Sequence, residues 1–154
     1  MPKRPTTRSD SVFLDSSVLF AAAYSARGHA RDLLFAGLRQ ELALALSQLI
    51  VTETERNLAK HAPRAVPLFQ SLLPVLTPLV VDPSPRMVHR AEQVIHPKDA
   101  PIVAGALAAR ARFLATYDRR HLLSQAEALR AAFRLIIATP DQILAVLANQ
   151  HAPH

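Results

Sequence analysis

The chain has no cysteine and no tryptophan, and only three of its 154 residues are glycine. Without thiols there are no disulfides, no cysteine nucleophile, no thiolate zinc site and no iron–sulfur cluster. Glycines at 28, 37 and 105 alone supply neither a Walker loop nor a dinucleotide-binding fingerprint, so nucleotide cofactors are not expected. No G-x-S-x-G elbow and no H-E-x-x-H pair occurs, which removes two large hydrolase classes. His89 and Glu92, three apart on one predicted helix, read as a solvated pair rather than half a zinc site.

Long apolar runs are also missing. The uncharged stretch 65–81 is broken by Pro67, Pro74 and Pro78 and is too short for a membrane span. Asp15 interrupts the apolar stretch near the N-terminus that superficially resembles a secretory signal. The expectation is a cytoplasmic protein with no membrane segment. A length of 154 residues fits one domain, with 1–10 as a flexible basic arm, 11–148 as the folded unit and 149–154 as a disordered tail.

Charge is unbalanced: the formal net charge is +6, and fifteen of the eighteen basic residues are arginine. The planar guanidinium suits bidentate phosphate contacts, which points to a polyanionic partner. A solvated surface built from a compositionally biased genome gives the same count, and charge alone does not separate the two.

The pattern alternates short apolar strands with helices. Val12-Phe13-Leu14 reads as a buried strand, followed by capping types Asp15-Ser16-Ser17 and a first helix through Val18-Leu19-Phe20. An amphipathic helix covers 29–38, a strand 41–46, and a helix capped by Ser47 runs to about His61. Prolines punctuate the middle, leaving a helix around 64–73, a short strand Leu79-Val80-Val81 and a helix over 86–94. Asp99 caps a helix that tolerates Pro101 in its first turn. Phe113 to Thr116 is a strand, 124–132 a helix, Leu135-Ile136-Ile137 a strand, and 140–148 a closing helix. Such alternation predicts an α/β protein with a parallel sheet covered on both faces.

In a parallel sheet, sites form at the C-terminal strand ends. Asp15 ends the first strand and Asp118 follows the late one, so two carboxylates remote in sequence are placed to meet. Asp99 at a helix start and Glu53 in the third helix complete a set of four. Each has a structural explanation as well: helix caps for Asp15 and Asp99, a turn for Asp118, a solvated charge for Glu53. At 100° per residue Glu53 falls within the stripe of Leu46, Leu49 and Ile50, whereas Val51 and Leu58 flank the side of Glu55.

These pieces together resemble the PIN-domain family, the nuclease fold of VapC-type toxins and standalone relatives. The matching segments are 12–19 (VFLDSSVL), 53–58 (ETERNL), 99–106 (DAPIVAGA) and 113–122 (FLATYDRRHL), in the family's order. The resemblance implies a three-layer α/β/α PIN-like fold with a central parallel sheet of four to five strands. It also implies that Asp15, Glu53, Asp99 and Asp118 are catalytic and bind metal, with Thr116 as a supporting hydroxyl. Glu53 is chosen over Glu55 because the family glutamate sits five residues before the leucine that here is Leu58. Tyr117 departs from the small or polar residue often found between the threonine and the aspartate.

Carboxylates about 4 Å apart repel by roughly 4 kcal/mol at an effective dielectric near 20. A divalent cation removes that cost, and oxygen-only ligands point to Mg²⁺ or Mn²⁺. Such an ion activates water and neutralises the leaving oxygen of a phosphodiester. The expected activity is therefore endoribonucleolytic, with RNA as substrate, an antitoxin protein as partner and a homodimer as the assembly, all implied by the resemblance. Arg56, Lys60, Arg119 and Arg120 are candidates for RNA phosphate contacts, with ordinary surface charge as the competing explanation. His121 lies close to the cluster and is read as packing or capping locally. The alternative function is a catalytically silent PIN-like module that binds RNA or an antitoxin.

Overall fold

The computed structural model describes residues 10–150. Four strands, β1 (Ser11–Leu14), β2 (Ala43–Ala45), β3 (Phe113–Ala115) and β4 (Ile136–Ala138), form one sheet in the order β2-β1-β3-β4, and every pairing is parallel. Eight helices flank it: α1 (Ser16–Tyr24), α2 (His29–Leu38), α3 (Gln48–His61), α4 (Val66–Leu76), α5 (Pro85–Glu92), α6 (Ala100–Ala108), α7 (Ala126–Phe133) and α8 (Pro140–Gln150). This is the three-layer α/β/α arrangement expected from the alternation. Its strands are near-continuous apolar runs because both faces of the sheet are covered. Phe13, Leu14, Phe113 and Leu114 are all buried.

The strand order fixes where a site belongs. After β1 the chain passes to β2 on one side and later returns to β3 on the other, so the order reverses between β1 and β3. The crevice beyond the carboxyl ends of those two strands is the topological switch point. Leu14 pairs with Ala115, and the Asp15 amide donates to the Ala115 carbonyl at 3.0 Å, extending the ladder to the site itself.

Helix α6 is apolar on nearly all sides, with Ala100 and Ile102 to Ala106 buried, as befits a helix packed inside the molecule. Its closeness to the sheet depends on Gly105: a Cβ there would lie 2.7 Å from the Phe13 ring. Gly105→Val should lower stability by about 1–3 kcal/mol through overpacking, measurable by urea unfolding. Because α6 carries Asp99 at its start, the displaced helix should also impair the site.

Several boundaries differ from expectation. The predicted strand Leu79–Val81 is a single parallel bridge, Leu46 to Val80, bonded through Leu46 N–H to Leu79 O at 3.3 Å and Val81 N–H to Leu46 O at 2.8 Å. A 3₁₀ turn at Thr77–Leu79 precedes it, and Ser47 already caps α3, so one partner residue is all that remains. The sheet thus has four strands and the trace of a fifth. Helix α4 starts later than predicted, after a 3₁₀ turn at Pro63–Ala65, and passes through Pro74 to Leu76. Ser84, not a residue within the predicted 86–94 span, caps α5 by accepting from the Met87 amide at 3.2 Å. Helix α8 continues to Gln150, so 149 and 150, expected in the tail, are helical. The remainder of the tail, 151–154, and the arm up to residue 9 lie outside the described residues.

Candidate metal centre

The four predicted acids converge. Asp15 follows β1, Asp118 follows β3, Glu53 comes from the second turn of α3, and Asp99 stands at the start of α6; all four line one pocket of about 520 Å³. Glu55 is exposed and does not line it, which agrees with the choice of Glu53.

Asp15 is the most constrained. Its Oδ1 accepts from the Ser16 amide at 2.7 Å, and its Oδ2 accepts from the Thr116 hydroxyl at 2.7 Å and the Ser17 hydroxyl at 2.9 Å. Each hydroxyl is also an acceptor: Thr116 for the Asp118 amide at 2.9 Å, Ser17 for the Tyr117 amide at 3.0 Å. The two side chains thus tie the loop after β3 to the carboxylate after β1. Burial pushes the Asp15 carboxyl above its ordinary value; the three hydrogen bonds pull it back down, and the negative charge of Asp118 raises it further.

Thr116→Val keeps the shape of the side chain but removes both bonds, leaving the Asp118 amide unpartnered. It should cost about 1–3 kcal/mol in thermal or urea unfolding. If the site is catalytic, activity should fall about 10- to 100-fold, the usual effect of removing a residue that orients a metal ligand.

Glu53 is held across the pocket by the Ser16 hydroxyl, which donates to its Oε2 at 3.1 Å. Asp99 corrects an expectation. It occupies the capping position of α6, but its backbone is already helical (φ −97°, ψ −10°) and its side chain makes no capping bond. Pro101 at the helix start lacks one of the amides a cap would serve. Asp99 is a buried residue, but its carboxylate opens onto the pocket, where it has no hydrogen bond or ion pair among the described residues.

Asp118 accepts from the His121 amide at 2.9 Å, and His121 Nδ1 lies 3.3 Å from its Oδ2. Asp118 thus caps the His121 amide, and the imidazole packs locally against the same carboxylate while lining the pocket. The Tyr117 side chain does not line it, and Asp141 lies near enough to help burial raise the Tyr117 phenol. The four predicted phosphate contacts, Arg56, Lys60, Arg119 and Arg120, are exposed and lie outside the pocket lining.

Other lining residues had no role assigned from sequence: Ser17, Phe20, Asn57, His61 and Lys98. The helical spacing of Glu53, Asn57 and His61 is the signal that could have found two of them. Lys98 directly precedes Asp99 and is a cation placed beside the acids.

In donor chemistry the pocket fits a hard divalent cation: its acids offer only oxygen, and the Asp99 carboxylate opens onto the pocket without a protein partner among the described residues. The donors are not closed into a cage, since no group of three among the described residues is spaced to hold an ion as it stands. Ion binding would require the donors to draw closer together. Among the described residues no helix is long and apolar enough to cross a membrane.

The fold and pocket define a class of architecture: a parallel α/β sheet with acidic side chains gathered at the switch point between β1 and β3. The chain belongs to the PIN-domain family: the family model described as PIN domain matches residues 11–120. The solved structure of FitAcB from Neisseria gonorrhoeae is similar in fold, with a TM-score of 0.58 over 84% of this chain and 97% of that one, at 18% sequence identity. No curated protein matches the chain.

Proposed function

We propose that this PIN-domain protein is an Mg²⁺- or Mn²⁺-dependent endoribonuclease and the toxin of a toxin–antitoxin pair. The observation that carries the reading is the convergence of Asp15, Glu53, Asp99 and Asp118 on one pocket at the switch point of the sheet. Asp15, Asp118 and Asp99 would hold the ion, which supplies an activated water and neutralises charge on the leaving oxygen. Thr116 and Ser17 aim the Asp15 carboxylate and oppose the upward push of burial on it. Ser16 holds Glu53 where it can orient a water molecule. Lys98, which lines the pocket, would contact the scissile phosphate, and the exposed Arg56, Lys60, Arg119 and Arg120 would hold phosphates farther along the strand.

Labelled single-stranded RNA incubated with the protein should be cut in millimolar Mg²⁺ or Mn²⁺ and remain whole in EDTA. Cleavage that persists in EDTA would exclude the metal-dependent reading. The open spacing of the donors favours one alternative, a catalytically silent module that binds RNA or an antitoxin. Binding without cutting at any metal concentration would establish it. The family resemblance further implies a homodimer, which sedimentation analysis tests directly.

A further inference from the structure

Two helices carry matching rows of side chains away from the acidic pocket. On α1, Ser16 and Phe20 line the pocket, and Tyr24 lines the next cavity, a groove of about 670 Å³. On α3, Glu53, Asn57 and His61 line the pocket, and His61 also lines the groove. Each row is spaced i, i+4, i+8, so each lies on one helix face. The Ser16–Glu53 hydrogen bond joins the two rows at the acidic end. Eight residues of helix rise about 12 Å, so the rows make a continuous track from the acids to the groove.

The chemistry changes along the track. The pocket end holds the four carboxylates. The basic side chains lining the groove are Arg31, His61 and Arg64, and no carboxylate lines it. Arg31 donates through Nε to the Ala22 carbonyl at 2.8 Å and through a terminal nitrogen to the Ala23 carbonyl at 3.3 Å. It is fixed at the end of α1 with no carboxylate partner among the described residues. One wall is aromatic: the Phe20 and Tyr24 rings have centroids 5.9 Å apart, and Tyr24 is 61% exposed. An exposed ring lining the same groove as Arg31 and Arg64 meets the needs of an unpaired nucleotide: a stacking surface for the base and positive charge for the phosphate.

We infer that the α1–α3 track is a subsite for single-stranded RNA flanking the scissile phosphate, with Tyr24 stacking a base and Arg64 contacting a backbone phosphate. The inference rests on the nuclease reading for the location of the scissile phosphate, but not for the binding itself. A protein segment in the groove would also meet apolar surface; the uncompensated cations and their continuity with the acidic pocket favour the polyanion.

The test is fluorescence anisotropy with a labelled eight-nucleotide single-stranded RNA in Mg²⁺, using the full chain made cleavage-deficient by Asp118→Asn. Tyr24→Ala should weaken binding between about 5- and 150-fold, and Tyr24→Phe should restore it, since the ring and not the hydroxyl stacks. Arg64→Ala should lower the slope of log affinity against log salt by about 0.7, the loss of one single-strand phosphate contact. A duplex of the same sequence should bind more weakly and ignore Tyr24→Ala, because its bases are already stacked. Single-strand affinity unchanged within twofold in both alanine variants, with their melting temperatures intact, would overturn the track and leave the groove to a protein segment. If wild type never cuts RNA but binding still depends on Tyr24, the nuclease reading fails and the track stands. If wild type cuts and binding ignores Tyr24, only the track fails.

Discussion

Asp118→Asn should reduce metal-dependent RNA cleavage by at least about 10²- to 10³-fold, the usual cost of removing one group that stabilises charge in a transition state. The substitution is nearly isosteric and only half-buried, and asparagine retains an acceptor for the His121 amide, so the fold should survive. What it removes is a negative charge facing Asp15 across the switch point. Asp15→Asn should do at least as much damage, for two reasons. It too deletes a charge, and it puts an amide NH₂ where the carboxylate now accepts from Ser16, Ser17 and Thr116. Glu55→Gln is the control: Glu55 is exposed outside the pocket, and its loss should leave cleavage unchanged. Gel-resolved initial rates on one labelled RNA separate the outcomes. Equal rates for wild type and both asparagine variants would mean that the acids are not the catalytic groups and that the cutting comes from a contaminant.

The legible part of the molecule was whatever has a short-range cause. Strand β1 and its aspartate, helix α2, and the Ser47 cap on α3 follow from apolar runs and capping residues alone. The four acids were legible because a parallel sheet presents strand ends on one edge, and because the PIN-domain pattern places a glutamate and a third aspartate between them. What needed coordinates was relational. Ser17 looks like a capping residue, yet its hydroxyl bonds to Asp15 and to the Tyr117 amide 100 positions away. Asp99 also looks like a cap, and only the helical backbone at that position shows its side chain to be free. The strand at 79–81 failed because its partner, Leu46, is followed at once by Ser47, the cap of α3, a constraint set by another element. Lys98 and the groove beyond Tyr24 have no local signature at all; helix packing creates them.

Metal should stabilise this protein, and the effect should depend on pH in opposite directions with and without the ion. An ion at 100 times its dissociation constant adds about 2.7 kcal/mol, which for a domain of this size is about 5–10 °C in melting temperature. Asp99→Asn should remove much of that gain, because it deletes a negatively charged oxygen donor from the pocket. The pH dependence follows from Asp15, whose folded-state carboxyl lies above its ordinary value of 3.8, chiefly through burial. A raised value means that the folded state holds the proton more tightly than the unfolded chain does. The resulting stability is fully present below the ordinary value and is lost as pH rises through the folded one. In EDTA, wild type should therefore lose stability relative to Asp15→Asn as pH rises above the ordinary value of 3.8. Metal binding requires the deprotonated carboxylate, so the gain from Mn²⁺ should instead grow over the same range. Scanning calorimetry of both proteins, with and without Mn²⁺ at each pH, checks both slopes. A flat difference in EDTA together with no Mn²⁺ response at pH 7 would mean that Asp15 neither suffers from burial nor meets an ion.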